Sequence, residues 1–353
     1  MRLSPNFCSC SAQVNEARQH SRLIDTQLHN YVNEQLVTTN VIILGNESSG
    51  RNTIVNQVRS LSGRDLSDED RVLLRLPFLA QIVLSLKKLL RDLGNFEEGF
   101  NLENTIEDAQ LIFRNADQIK QGNLSTKVIA ALKNLRQDNA MQSYLKVATD
   151  QAADSSNYFF SSLERLIHNN FVPSEDDMLH IKCGSCGIAE ETITHVGDSF
   201  RFICVFTNRS SIKKWVHFFE EVDAIIFIAS LVNYDEPLIH DPEKLRLRDD
   251  MAYFESICNS KWFGNCSQIV LILNKFDLFT RKIATSPLKI CFPDYRGSSD
   301  PMEAAQFIQK KFEALNRNPL RTVHSYITSV RSKDSVKEIV DAIINLTAKS
   351  SKT

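Results

Sequence analysis

The chain has 353 residues, 42% of them hydrophobic, enough for one large or two ordinary domains with a real core. A formal net charge of -2 excludes the electrostatic footprint of a nucleic-acid binder, and no apolar run approaches the roughly 20 residues that span a bilayer. No secretory signal opens the chain, and eight mostly scattered cysteines suit a reducing compartment better than a disulfide framework, so an intracellular protein, soluble or peripherally attached, is expected.

Residues 11–36 read as one amphipathic helix, with Val14, Ala17, Ile24, Leu28, Tyr31 and Val32 at three- and four-residue steps. It precedes the first strand, so it is expected to project from the domain as a docking surface; packing on its own domain is the alternative. Four apolar residues, VIIL at 41–44, then make a buried strand ending at Gly45. Gly45-Asn46-Glu47-Ser48-Ser49-Gly50-Arg51-Asn52-Thr53 has the glycine spacing of the phosphate-binding consensus G-x-x-x-x-G-K-[ST], but Arg51-Asn52 stands in place of Lys-Ser. A helix over 52–61 follows, as such a loop requires.

Ser67 with Asp70 resembles a capping box. It opens a helix with apolar positions Val72, Leu76, Leu79, Val83, Leu86, Leu90 and Leu93, running to Gly94 and bent by Pro77. Helical segments continue to about residue 168 with no convincing strand, which predicts an all-helical insert of domain size. From residue 190 strand and helix alternate. The expected strands are ETITHV, RFICVF (201–206), AIIFIASL (224–231), QIVLILN (268–274) and SYITSV (325–330), with helices near 209–220, 242–257, 300–316 and 333–348. Short apolar runs between helices imply an α/β fold whose mainly parallel sheet is covered on both faces.

Asn274-Lys275-Phe276-Asp277 ends the strand QIVLIL, and ligands of a doubly wound sheet bind beyond the carboxyl ends of its strands. An aspartate there can accept from guanine N1–H and the 2-amino group, donors that adenine lacks. With a phosphate-type loop after the first strand, the tetrapeptide points to a GTPase-like domain.

Longer stretches then carry a family resemblance. CSCSAQVNEARQHSRLID, ADSSNYFFSSLERL, FVPSEDDML, IKKWVHFFEEVDAIIFIASLVNYDE, FESICNSKWF and SPLKICFPDYRG resemble, in order, segments of the α subunits of heterotrimeric G proteins. The resemblance implies a Ras-like P-loop GTPase domain with a mainly parallel sheet, an inserted all-helical domain and a projecting N-terminal helix. The implied boundaries are 1–38 for the helix, 39–62 and 182–353 for the GTPase domain, and 63–181 for the insert with its linkers. It also implies GTP/GDP as ligand, Mg2+ as cofactor, and a βγ dimer, a G protein-coupled receptor and an effector as partners. The βγ contacts would come from the N-terminal helix and the Lys213-Lys214-Trp215 region.

The departures from the family fall on nucleotide chemistry. Its phosphate loop reads GAGESGKST; here Glu47 and Ser48 replace glycine and glutamate, Arg51 the lysine, and Asn52 the magnesium-binding serine. The planar fork of arginine differs from a compact ammonium, and a carboxylate at Glu47 repels polyphosphate. Switch I, L-R-T-R-V-K-T-T in the family, is Leu179-His180-Ile181-Lys182-Cys183-Gly184-Ser185-Cys186. Lys182 thus replaces an arginine worth roughly 10³–10⁵ in rate across GTPases, and Ser185 replaces the magnesium-binding threonine. Switch II, D-V-G-G-Q-R in the family, is Cys204-Val205-Phe206-Thr207-Asn208-Arg209, so the magnesium aspartate and the water-orienting glutamine are both gone. Slow or absent hydrolysis is expected, with Lys182 and Asn208 as degenerate catalytic positions.

The resemblance assigns nucleotide contacts to residues 45–53, to Asp154, Ser155, Leu179, Asn274, Lys275 and Asp277, and to the backbone N–H of Val330 in Thr328-Ser329-Val330-Arg331. Asn52 and Ser185 are the weak metal ligands. Arg2 excludes the family's usual myristoylation. Cys8 aligns with its palmitoylated cysteine and Cys10 lies nearby, which implies peripheral attachment at the cytoplasmic face of the plasma membrane. The last helix stops about five residues short of the family's receptor-binding end. Cys183 and Cys186 form a lone CxxC with no second pair at zinc spacing, and read as incidental thiols. The competing reading of the whole chain is a pseudo-GTPase scaffold that binds βγ or an effector without nucleotide switching.

Overall fold

The computed structural model describes residues 38–46, 49–63, 67–94, 103–122, 125–147, 151–168, 170–180, 188–195, 198–205, 222–238, 241–263 and 266–350. The helices expected over 11–36 and 209–220 lie outside the described residues.

Strand β1 (Thr38–Gly45) leads into helix α1 (Arg51–Leu61). A helical run follows: α2 (Asp68–Leu73), α3 (Arg75–Gly94), α4 (Glu103–Arg114), α5 (Ala116–Lys120), α6 (Thr126–Gln137), α7 (Asn139–Val147), α8 (Gln151–Ser161), α9 (Leu163–Leu166) and α10 (Glu175–His180). The chain then returns to alternation with β2 (Ile188–His195), β3 (Asp198–Val205), β4 (Ala224–Ser230), α11 (Arg246–Cys258), β5 (Gln268–Asn274), α12 (Phe276–Lys282), α13 (Pro301–Glu313), β6 (Thr322–Ile327) and α14 (Lys333–Ser350). These strands form one sheet in the order β2-β3-β1-β4-β5-β6. Only β2 with β3 is antiparallel, so the sheet is mainly parallel, as the sequence predicts.

Strand side chains alternate between two cores because the side-chain period of a strand is two. Ile42, Leu44, Ile225, Phe227, Ile269 and Leu271 pack on one face with Leu247 and Phe254 of α11 and Ile308 and Phe312 of α13. Val41, Ile43, Ile226, Ile228, Val270 and Ile272 pack on the other with Ile54 and Val58 of α1 and Val336, Ile339 and Ile343 of α14. Each fully buried aliphatic side chain contributes about 1.5–3 kcal/mol, so the continuous apolar runs that define the strands also anchor the helices. The helices between α1 and β2 have a separate core that includes Leu79, Val83, Leu86, Ile112, Leu132, Phe160 and Leu163.

Two expectations shift. The long helix with a bend at Pro77 is instead two helices, α2 and α3, broken at Leu74. Pro77 has no N–H to give to Leu73, and its ring crowds that carbonyl; the break puts Pro77 in the first turn of α3, where a missing donor costs nothing. Ser67 caps α2 as expected, its Oγ accepting from the Asp70 amide at 3.1 Å. Val72 and Leu76, two of the apolar positions of that expected helix, are about half exposed, at 50% and 47%. The last strand ends at Ile327, because the amide of Thr328 makes the final ladder bond, to Leu273 O at 3.0 Å, and the chain then turns toward Asn274.

Candidate functional site

The carboxyl ends of the parallel strands converge on the segments that the sequence singles out: Gly45 closes β1, Val205 closes β3, and Asn274 closes β5. Two glycines allow this convergence. Gly45 at φ 152 lies against the Ile228 carbonyl of β4, where a Cβ would collide, and Gly50 at φ 115 leaves no room for a Cβ beside Asn274 Nδ2. Gly50 is the N-cap of α1.

Asn274 is buried and holds three loops together. Its Nδ2 donates to the Ser49 carbonyl at 2.7 Å, and its Oδ1 accepts from the amides of Lys275 at 2.7 Å and Val330 at 3.0 Å. Lys275 has φ 64, the left-handed conformation, which lets the chain turn straight from β5 into α12. Gly50, Thr53, Leu179, Asn274, Lys275, Asp277, Leu278, Ser329, Val330 and Arg331 line one cleft above this knot. Asp277 stands in the first turn of α12, exposed. Its carboxylate is thus available to a ligand in the cleft. The Val330 amide, expected to serve the base, donates to Asn274 instead, because the early end of β6 brings that amide onto the asparagine oxygen.

The opposite end of the loop is built differently. Asn46 does not face the cleft: its Nδ2 donates to Asp249 Oδ2 at 3.0 Å and Asp250 Oδ1 at 2.7 Å, both on α11. Asn233 donates to the other oxygen of Asp250 at 3.1 Å. Burial pushes the Asp250 carboxyl up to about 7, against the pull of the two amides. Sequence reasoning missed this pair; consecutive aspartates in the first turns of a helix carrying a buried apolar face were the available signal. Arg51 is buried, and its guanidinium donates to the Val205 carbonyl at 2.5 Å. The Cys204 thiol beside it is buried, and desolvation pushes it up to about 12, only partly offset by Arg51.

Other expected residues are dispersed. Asp154 and Ser155 stand on α8, and Ser155 does not line the cleft. Asn52 follows Arg51 in the first turn of α1 and is half-buried. Glu47, Ser48, Lys182, Ser185, Asn208, Cys8 and Cys10 lie outside the described residues. His180, next to Leu179, stacks on Tyr158 with ring centroids 3.8 Å apart and meets Arg331 NH2 at 3.3 Å, joining the helical region to the loop after β6.

The family model of the G-protein alpha subunit matches residues 18–347. The chain belongs to the G-protein alpha subunit family. It is 34% identical over 337 residues to a guanine nucleotide-binding protein alpha-7 subunit of Caenorhabditis elegans, covering 95% of each chain. It is 33% identical to a guanine nucleotide-binding protein alpha-7 subunit of Caenorhabditis briggsae over the same share of both. The six-stranded sheet and the helical run between α1 and β2 are this family's Ras-like domain and helical insert.

As a test of fit, the base end of this alpha-subunit site suits a guanine: a free carboxylate at Asp277, a rigid floor at Asn274 and an apolar wall from Leu179 and Leu278. The magnesium end does not suit its ion. Magnesium demands hard oxygen ligands, and the described residue at the family's aspartate position is the neutral, buried thiol of Cys204.

Proposed function

We propose that this chain is a guanine nucleotide-binding α subunit of signal transduction that holds its nucleotide chiefly by the base and hydrolyses GTP slowly or not at all. The observation that carries the reading is the exposed Asp277 carboxylate in a cleft whose floor is the Asn274 knot. A carboxylate in that place accepts two hydrogen bonds from guanine and none from adenine, and a pocket built to pair polar edges rejects ligands that cannot pair them. Slow hydrolysis follows from Lys182 and Asn208 at the positions where the family carries arginine and glutamine.

Within this reading the N-terminal segment binds βγ, palmitate on Cys8 or Cys10 holds the chain at the cytoplasmic face of the plasma membrane, and a G protein-coupled receptor and an effector complete the pathway. The resemblance of residues 8–25 and 212–236 to the family supports these partners. One observation favours the scaffold alternative. The Arg51 bond to Val205 ties the phosphate loop to the root of switch II through the protein's own atoms, so that root is held without a phosphate.

Titration with a fluorescent GDP analogue, with GDP and ADP as competitors, tests the base reading. GDP should displace the analogue and ADP should not, and Asp277→Ala should abolish the difference. Equal displacement by both from the unaltered chain would contradict it.

A further inference from the structure

A second cavity, of about 150 Å³, lies where the helical insert meets the sheet domain. One wall comes from α1 and the start of α14, the other from α2 and α10 of the insert. Bonds cross the seam beside it: Asn56 Nδ2 donates to the Met178 carbonyl at 3.4 Å, and Arg331 meets His180 Nδ1 at 3.3 Å. A cavity of this size falls below the roughly 300–1,000 Å³ of a drug-sized site, and suits a phosphate group on a short carbon stem rather than a nucleotide.

The lining is unevenly charged. Four cations, Arg59, Arg71, Arg331 and Lys333, stand against two carboxylates, Glu175 and Asp176. Arg59 is engaged by Glu191 of β2, to which its Nε donates at 2.6 Å. Arg71 meets Glu175 at 3.4 Å, but the carboxylate side chain is 57% exposed, so this pair is weak and water can replace either partner at little cost. Lys333 donates to the Ser60 hydroxyl at 2.7 Å, a neutral acceptor. A dianion in the cavity would therefore gain charge-assisted bonds from Arg71 on one wall and Lys333 on the other, in a seam where partial burial strengthens them.

We propose that this cavity is a second ligand site, for a small soluble phosphate monoester, and that its occupancy pins the insert to the sheet domain and slows exchange of the guanine nucleotide. Arg71 from the insert and Lys333 from the sheet domain hold the phosphate from opposite walls. Shared residues supply the coupling, because Leu179 and Arg331 line both this cavity and the guanine cleft. A ligand that binds only where both walls are in place stabilises that arrangement by mass action, and the wall of the cleft with it. The site itself stands apart from the guanine reading above; its effect on exchange rests on that reading.

Thermal melts of the full chain in rising glycerol 3-phosphate, against sodium chloride at equal ionic strength, test the site. The midpoint should rise and saturate, with half-saturation below about 10 mM. Lys333→Ala and Arg71→Ala, both changes at the protein surface, should each raise that concentration by at least about tenfold, the loss of one charge-assisted bond. No saturable rise in the parent, or a rise that both variants keep, would overturn the proposal: the second result would mean that phosphate acts at the nucleotide loop, by general salt exclusion, or as an adventitious ion only. Release of a fluorescent GDP analogue tests the coupling. Saturating glycerol 3-phosphate should slow release from the parent by at least about threefold and leave release from Lys333→Ala unchanged. An unchanged rate from the parent would overturn the pinning role. A parent that takes up no guanine analogue would overturn the guanine reading instead, and the melts would still decide the site.

Discussion

The side-chain amide of Asn274 donates to the Ser49 carbonyl at 2.7 Å, joining the end of β5 to a phosphate loop 225 positions earlier in the chain. The same side chain accepts from the amides of Lys275 and Val330. One buried residue therefore satisfies three backbone groups from three loops. Asn274→Ala would leave all three unpaired, at a cost of about 3 kcal/mol or more, since each buried unsatisfied group costs about 1–3 kcal/mol. Urea denaturation should show a lower midpoint with an unchanged slope. A midpoint equal to that of the unaltered chain would contradict the bridging role.

Arg321 plays the comparable part at the end of α11. Its guanidinium donates to the carbonyls of Cys266 at 3.2 Å, Ile257 at 3.0 Å, Cys258 at 2.5 Å, Ser260 at 2.8 Å and Phe263 at 2.5 Å. The last carbonyls of a helix have no intrahelical partners, and here a fork of donors from the segment before β6 supplies them. Arg321→Met keeps the apolar stem and removes every donor, so a loss of about 3–5 kcal/mol is expected. Arg321→Lys should recover only a small part, because one ammonium cannot span the five carbonyls. Thermal melts of both variants decide the matter; a lysine variant as stable as the parent would count against it.

Asp250 gives the fold a pH dependence of unusual sign. Burial raises its carboxyl from 3.8 to about 7, reinforced by the charge of Asp249 and opposed by hydrogen bonds from Asn233 and Asn46 and by Arg246. The folded chain therefore binds this proton more tightly than the unfolded chain does. The stability it contributes is full below the unfolded value near 4 and is lost as pH rises through 7. Compared with Asp250→Asn, the parent should lose unfolding free energy between pH 4 and about 7. Parallel stability profiles for the two proteins across that range would show that Asp250 is not protonated in the fold.

Much of this molecule is legible in its sequence because its strands are continuous apolar runs and its loops carry spaced glycines. VIILG and QIVLILN announce both the buried strands and the ends where ligands sit. Side-chain destinations are less legible, because they depend on residues far away in the chain. Nothing near Arg51 indicates that its guanidinium ends on Val205, 154 positions later, and nothing near Asn46 announces Asp250, 204 positions later. The break at Leu74 and the exposure of Val72 and Leu76 were hidden for another reason: helical periodicity continues through a proline-induced interruption that only backbone hydrogen bonding decides.

The central claim is that the guanine end of this site is kept while the chemistry of the γ-phosphate is not. Single-turnover release of inorganic phosphate, from chain saturated with GTP in magnesium buffer and with the bound fraction measured alongside, tests it most directly. Alpha subunits that carry their arginine in cis turn over at roughly 10⁻² s⁻¹, and this chain should fall at least about 100-fold below that rate while its bound guanine nucleotide persists. Phosphate release at the family's rate would contradict the claim.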